Sequence, residues 1–177
     1  MTKVKPMLIQ VRTFYILTTL FLVALSFYTF FQIKSLISSS EWINHTNKVN
    51  STLEKVSNAF INALSNQKSY LVTGDTSMII ARNNDFEIIE QQLNILDSLT
   101  VDNPEQSANL VALRKVIAEK KANLDMLLEN FEPLHISPDL SSSLKDALRK
   151  TEVVKQEIDK MALLETKLLN ERNYNYT

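Results

Sequence analysis

The sequence predicts an all-α protein: an up-down-up-down four-helix bundle, helices one and four longer, preceded by an N-terminal transmembrane helix. Three observations carry this. Four long stretches place apolar residues in alternating steps of three and four, the narrow seam of helices that pack nearly antiparallel. One glycine and four prolines in 177 residues leave few places to break a helix. And residues 13–33 contain no charge.

The uncharged stretch, TFYILTTLFLVALSFYTFFQI, is 21 residues long, about 31 Å as a helix against a hydrocarbon core of about 30 Å. A cleaved signal peptide would have an apolar core of only about 7–15 residues ending at small residues, and Ser35 to Ser40 offers a poor cleavage site. An uncleaved anchor is the expectation. Lys3, Lys5 and Arg12 precede the span and only Lys34 follows it closely, so the N-terminus is expected in the cytoplasm of an inner-membrane protein, with the bundle periplasmic or extracellular. This divides the chain into residues 1–12 (cytoplasmic), 13–33 (membrane) and 34–177 (bundle).

The first bundle helix, running straight on from the span, has its seam at Trp42, Thr46, Val49, Leu53, Val56, Phe60, Ala63, Gln67 and Tyr70. Ser38, Ser39 and Ser40 are expected to loosen it where it leaves the headgroups. Gly74 stops it, where a left-handed cap costs least. Asp75 or Thr76 can cap a second helix, with seam residues Ile79, Arg82, Phe86, Ile89, Leu93, Leu96 and Thr100. Asn103, Pro104 and Gln106 stand at the N-cap, first and third positions of a third helix, a recognisable start signal. Its seam runs Gln106, Leu110, Leu113, Ile117, Lys120, Leu124, Leu127, Phe131, and it ends near Pro133. Ser137 and Pro138 restart a fourth helix, with Leu144, Ala147, Thr151, Val154, Ile158, Met161 and Leu168 on its seam.

Helices one and four are expected to run about 38 and 39 residues, the middle pair roughly ten fewer each. As antiparallel neighbours, the long pair would bring Tyr174 and Tyr176 back to the level of Ile33, at the membrane, where tyrosines are common. That geometry invites a second span, so the chain reads as the outer part of a two-span receptor, or a short protein cut just before that span.

Composition excludes more chemistry than it suggests. A net charge of −1 offers no basic field for nucleic acid. No cysteine means no disulfide, thiolate nucleophile or cysteine zinc site. His45 and His135 have no metal-pair spacing, one glycine cannot make a phosphate loop, and Glu87 with Glu90 reads as a solvated helix face. No cofactor and no catalytic residue is expected. The polar seam residues Gln67, Arg82, Lys120 and Glu165 would face the bundle interior or its edge. They read plainly as layers that fix register at some cost in stability; the sharper reading is a ligand pocket between helices.

Two segments resemble a known family. Trp42-Ile43-Asn44-His45-Thr46 and Gln67-Lys68-Ser69-Tyr70-Leu71-Val72-Thr73-Gly74-Asp75 are similar to W-V-x-H-T and E-T-G-Q-R-G-Y-L-L-T-G-D of the type-three CHASE domain, the cyclase/histidine-kinase-associated sensory extracellular domain. The tail from Leu164-Glu165 to Leu168-Leu169-Asn170-Glu171-Arg172 resembles the family's last helix before its second span. The resemblance covers roughly residues 35–177, most specifically at Tyr-Leu-x-Thr-Gly-Asp. Leu64 and Lys68 stand where the family has Glu and Arg, and Asn66 and Ser69 where it has glycines. The resemblance implies a sensory input module of a bacterial transmembrane receptor, with a kinase, cyclase or chemotaxis output downstream. Such a module is expected to work as a homodimer through the bundle, answering an unidentified small-molecule or protein stimulus. The alternative is a single-span anchored helical protein with a structural or adhesive role.

Overall fold

The structure, a computed structural model, describes residues 4–129 and 138–175, with side chains over 11–129 and 152–172. Four helices make up these residues: α1 (Val4–Thr73), α2 (Ser77–Thr100), α3 (Pro104–Glu129) and α4 (Pro138–Asn175). Each packs on its neighbours in chain order and α1 also packs on α4, closing a square with no direct α1–α3 or α2–α4 backbone packing among the described residues. This is the up-down-up-down arrangement.

The seams meet in the middle. Val49, Leu53, Val56, Phe60 and Ala63 of α1 are buried against Phe86, Ile89, Leu93 and Leu96 of α2. Leu110, Leu113 and Ile117 of α3 and Val154, Ile158 and Met161 of α4 complete the core. Burying one such side chain is worth about 1.5–3 kcal/mol. Phe131, His135, Pro133, Ser137, Tyr176 and the side chains of Leu144, Ala147, Thr151 and Tyr174 lie outside the described residues.

α1 is one uninterrupted helix of 70 residues. Ser38, Ser39 and Ser40 do not loosen it, contrary to expectation. Serine costs only a few tenths of a kcal/mol in a helix, too little to break backbone bonds extended from both sides. The segment 13–33 stands wholly exposed and lies in a helix long and apolar enough to cross a membrane. Its threonines do not spoil it: Thr18, Thr19 and Thr29 donate their hydroxyls to the Phe14, Tyr15 and Leu25 carbonyls one turn back, at 2.6, 2.8 and 2.9 Å. Such internal pairing is what an apolar solvent demands.

The middle helices, 24 and 26 residues against 38 for α4, are shorter than α4 by somewhat more than the ten expected. α1 and α4 therefore descend alone below the α2–α3 connection. Thr46 of α1 faces Glu165 of α4. From that pair, eleven residues back along α1 reach Ser35 and ten onward along α4 reach Asn175, about 15–17 Å either way, so these two residues lie near the same level.

Candidate functional site: two polar layers and a lateral groove

The turn between α1 and α2 uses every residue of the Tyr-Leu-x-Thr-Gly-Asp stretch. Gly74, at φ 73°, donates its N–H to the Tyr70 carbonyl at 2.7 Å, the left-handed helix end. The Thr73 hydroxyl donates to the Ser69 carbonyl and accepts the Asp75 N–H. Asp75 Oδ1 accepts the Ser77 N–H at 2.9 Å, while Thr76 makes no side-chain cap bond. Asp75, not Thr76, is the cap. Hydrogen bonds from Ser77, side chain first and backbone second, hold its carboxyl below the ordinary carboxylate range. Leu71 is buried below the turn, and Lys68 is exposed.

Just inside this turn lies the upper polar layer. Arg82, 2% exposed, donates Nε to Gln67 Oε1 at 2.7 Å, Nη1 to Asn83 Oδ1 at 3.0 Å, and Nη2 to Asp125 Oδ1. Gln67 in turn donates Nε2 to the Leu124 carbonyl at 2.8 Å, so α1, α2 and α3 share one network. Lys121 also donates to Asp125, at 2.7 Å. Partial burial pushes the Asp125 carboxyl up, but hydrogen bonds and charges from Lys121 and Arg82 outweigh it and hold it low. Asn66, where the family has glycine, donates to Asp85 of α2 at 2.8 Å. Lys120 is half-buried on α3.

The lower layer is centred on Glu165, 1% exposed. Its Oε1 accepts the Thr46 hydroxyl at 3.1 Å and lies 3.2 Å from His45 Nδ1; its Oε2 accepts Gln106 Nε2 at 3.1 Å. His45 Nε2 lies 2.9 Å from the Leu99 carbonyl oxygen. Both partners of the ring are acceptors, so an imidazolium donates to both and either neutral tautomer to one. Gln106 Nε2 also donates to the Met161 carbonyl at 3.0 Å. Asn103 caps α3 as expected, its Oδ1 accepting from the Glu105 and Gln106 N–H groups. The Gln106 side chain, however, does not turn back to complete a capping box; the buried Glu165 draws it inward. Trp42 stands one turn lower, its ring edge-on to His45 and 3.7 Å from the Arg172 guanidinium of α4.

Between α2 and α3 a groove of about 760 Å³ opens to the side, with Phe86 and Ile117 at its base and Ala118, Ala122, Glu87 and Glu90 along its walls. Sequence reasoning found Gln67, Arg82 and Glu165 in the interior because they occupy seam positions. It missed Asp125, Asp85 and Arg172, which lie off the seams and become partners only through the register between helices. No group of His, Asp and Glu suited to a metal ion occurs among the described residues.

The described residues define a membrane-anchor class of architecture, a four-helix bundle whose first helix continues into a segment long and apolar enough to cross a membrane. The chain belongs to the CHASE3 domain family, whose family model matches residues 39–175, and it is therefore a sensory extracellular domain, the input module of a signalling receptor. Its fold is similar to that of the sensor domain of histidine kinase HK9 from Rhodopseudomonas palustris, with a TM-score of 0.59 and 22% identity over 71% of this chain and 98% of that one. No curated protein matches the chain.

Proposed function

We propose that this domain works as the extracytoplasmic half of a bacterial transmembrane receptor, passing a stimulus to a kinase, cyclase or chemotaxis module by displacing α4 against α1. The observation that carries this is the shared polar layer low in the bundle that joins α1 to α4, where His45 and Thr46 meet Glu165 and Trp42 meets Arg172. A shift of one helix there must rearrange buried hydrogen bonds, so it proceeds between discrete arrangements. α1 carries its end directly into residues 13–33, and a segment continuing α4 would enter the bilayer beside it.

Residues 13–33 are the spanning segment, 1–12 the cytoplasmic end and 34–177 the outer bundle, in the inner membrane. Lys3, Lys5 and Arg12 ahead of the span, against Lys34 after it, support that orientation. The working unit is a homodimer, since two copies give each receptor the paired spans through which relative motion is read. Glu165, Thr46, His45, Trp42, Gln67 and Arg82 hold the helices in register, and Gly74 with Tyr70, Leu71, Thr73 and Asp75 fixes the outer turn. The stimulus acts by binding two arrangements unequally.

The test needs no stimulus. Residues 1–177 are joined to the second span and kinase of another receptor, and one to four alanines are inserted after Leu169, each turning the following segment by about 100°. Output that rises and falls with the insertion phase is expected. Output indifferent to every insertion would overturn the transmission reading.

A further inference from the structure

We propose that the α2–α3 groove is the stimulus site and that it takes a small organic cation, an ammonium group on an apolar body. This rests on the sensory reading above and names the ligand class it leaves open. The groove exists because Ala118 and Ala122 of α3 present only methyl groups toward α2. Its volume, about 760 Å³, lies in the usual range for small-molecule sites. Its base is apolar, with Phe86 and Ile117 both nearly fully buried, which suits an alkyl or aryl body.

Charge selects the sign. Glu87, Glu90 and Asp125 line the groove against a single ammonium, Lys121. The Arg82 guanidinium beneath is engaged by Gln67, Asn83 and Asp125. At the lower end Arg114 reaches Glu90 at 3.3 Å but also holds Asn94 and Asp97. Glu87 is exposed and has no partner among the described residues.

An independent observation points the same way. The chain already places its own cations on the groove's aromatic ring: Lys121 Nζ lies 5.5 Å from the Phe86 centroid and the Arg82 guanidinium carbon 4.8 Å. Lys121, exposed and tethered to Asp125, occupies the place that a ligand ammonium would take. A ligand bridging Phe86 and Glu87 displaces Lys121 and competes for Asp125. It thereby loosens Asp125 from Arg82, and Arg82 is what ties α2 to Gln67 of α1. The site is thus wired to the signalling strut.

The full chain in lipid nanodiscs is titrated calorimetrically with phenethylammonium, and with phenylacetate and phenethyl alcohol as anionic and neutral probes of similar shape. Saturable binding of phenethylammonium alone is expected, weakened tenfold or more in Glu87→Gln, an exposed change that leaves the fold intact, and likewise in Phe86→Leu. Equal binding of all three probes, no binding of phenethylammonium at millimolar concentration, or undiminished binding in Glu87→Gln would each overturn the proposal. So would efficient cross-linking of Gln91→Cys between two copies, which would make the groove a dimer contact. Phase-dependent output in the insertion series without phenethylammonium binding would remove the groove and leave the transmission reading standing.

Discussion

Asp125 shows how a single carboxylate off the seam can matter to the whole upper layer. It faces the buried Arg82 and the half-exposed Lys121, and its folded-state pKa lies below the ordinary value of about 3.9. A depressed carboxylate pKa contributes stability that is complete above the unfolded value and is lost as pH falls through the folded one. Asp125→Asn should cost about 1–3 kcal/mol at pH 7, because Arg82 stays buried with weaker acceptors. The Asp125 side chain is 37% exposed, so screening favours the lower end of that range. Urea melts of parent and variant at pH 7, 5, 4 and 3 should show the gap unchanged to about pH 5 and closing below pH 4. A gap of the same size at pH 3 would refute the assignment. Gln67, Arg82 and Glu165 were legible as interior residues from spacing alone. Asp125 and Arg172 were not, since nothing along one helix says which side chain of another lies opposite.

At the scale of elements, local chemistry set the helix ends. Gly74 is the one position where the backbone demands it: φ is 73°, and a Cβ built there meets no atom within 4 Å. Any penalty is therefore one of conformation, not of space. Gly74→Val should destabilise by about 1–2 kcal/mol, a drop in Tm on the order of 5 °C, while Gly74→Asn should recover most of it because asparagine tolerates the left-handed region. Thermal melts that overlay for Val and parent would remove the turn from the account. One local expectation failed: Ser38–Ser40 were read by their nearest neighbours in sequence, but helix continuity from both sides outweighed them.

At the scale of the whole molecule, register decides function. The pairing of Thr46 with Glu165 sets Ser35 and Asn173 within about one helical turn of the same level. Trp42 meets α4 at Arg172. Cysteines at Ser35 and Asn173 should cross-link through a short reagent in membranes, and locking them together should freeze the output of the chimeric receptor. Cross-linking of Asn173→Cys to the Gly74 end of α1 would show the opposite topology.

The sequence by itself determined that this chain is four helices on an apolar span, where α1 ends and where α2, α3 and α4 begin, and which faces of the described helices are buried. Those follow from periodicity, from one glycine's backbone freedom and from the length of an uncharged run, all local quantities. Only the tertiary structure decided that Asp125 braces Arg82, that Glu165 collects α1 and α3 onto α4, and that α2 and α3 part to leave a groove. Each depends on the axial offset and spacing of helices distant in the chain, which the packing of side-chain volumes sets and no single stretch records.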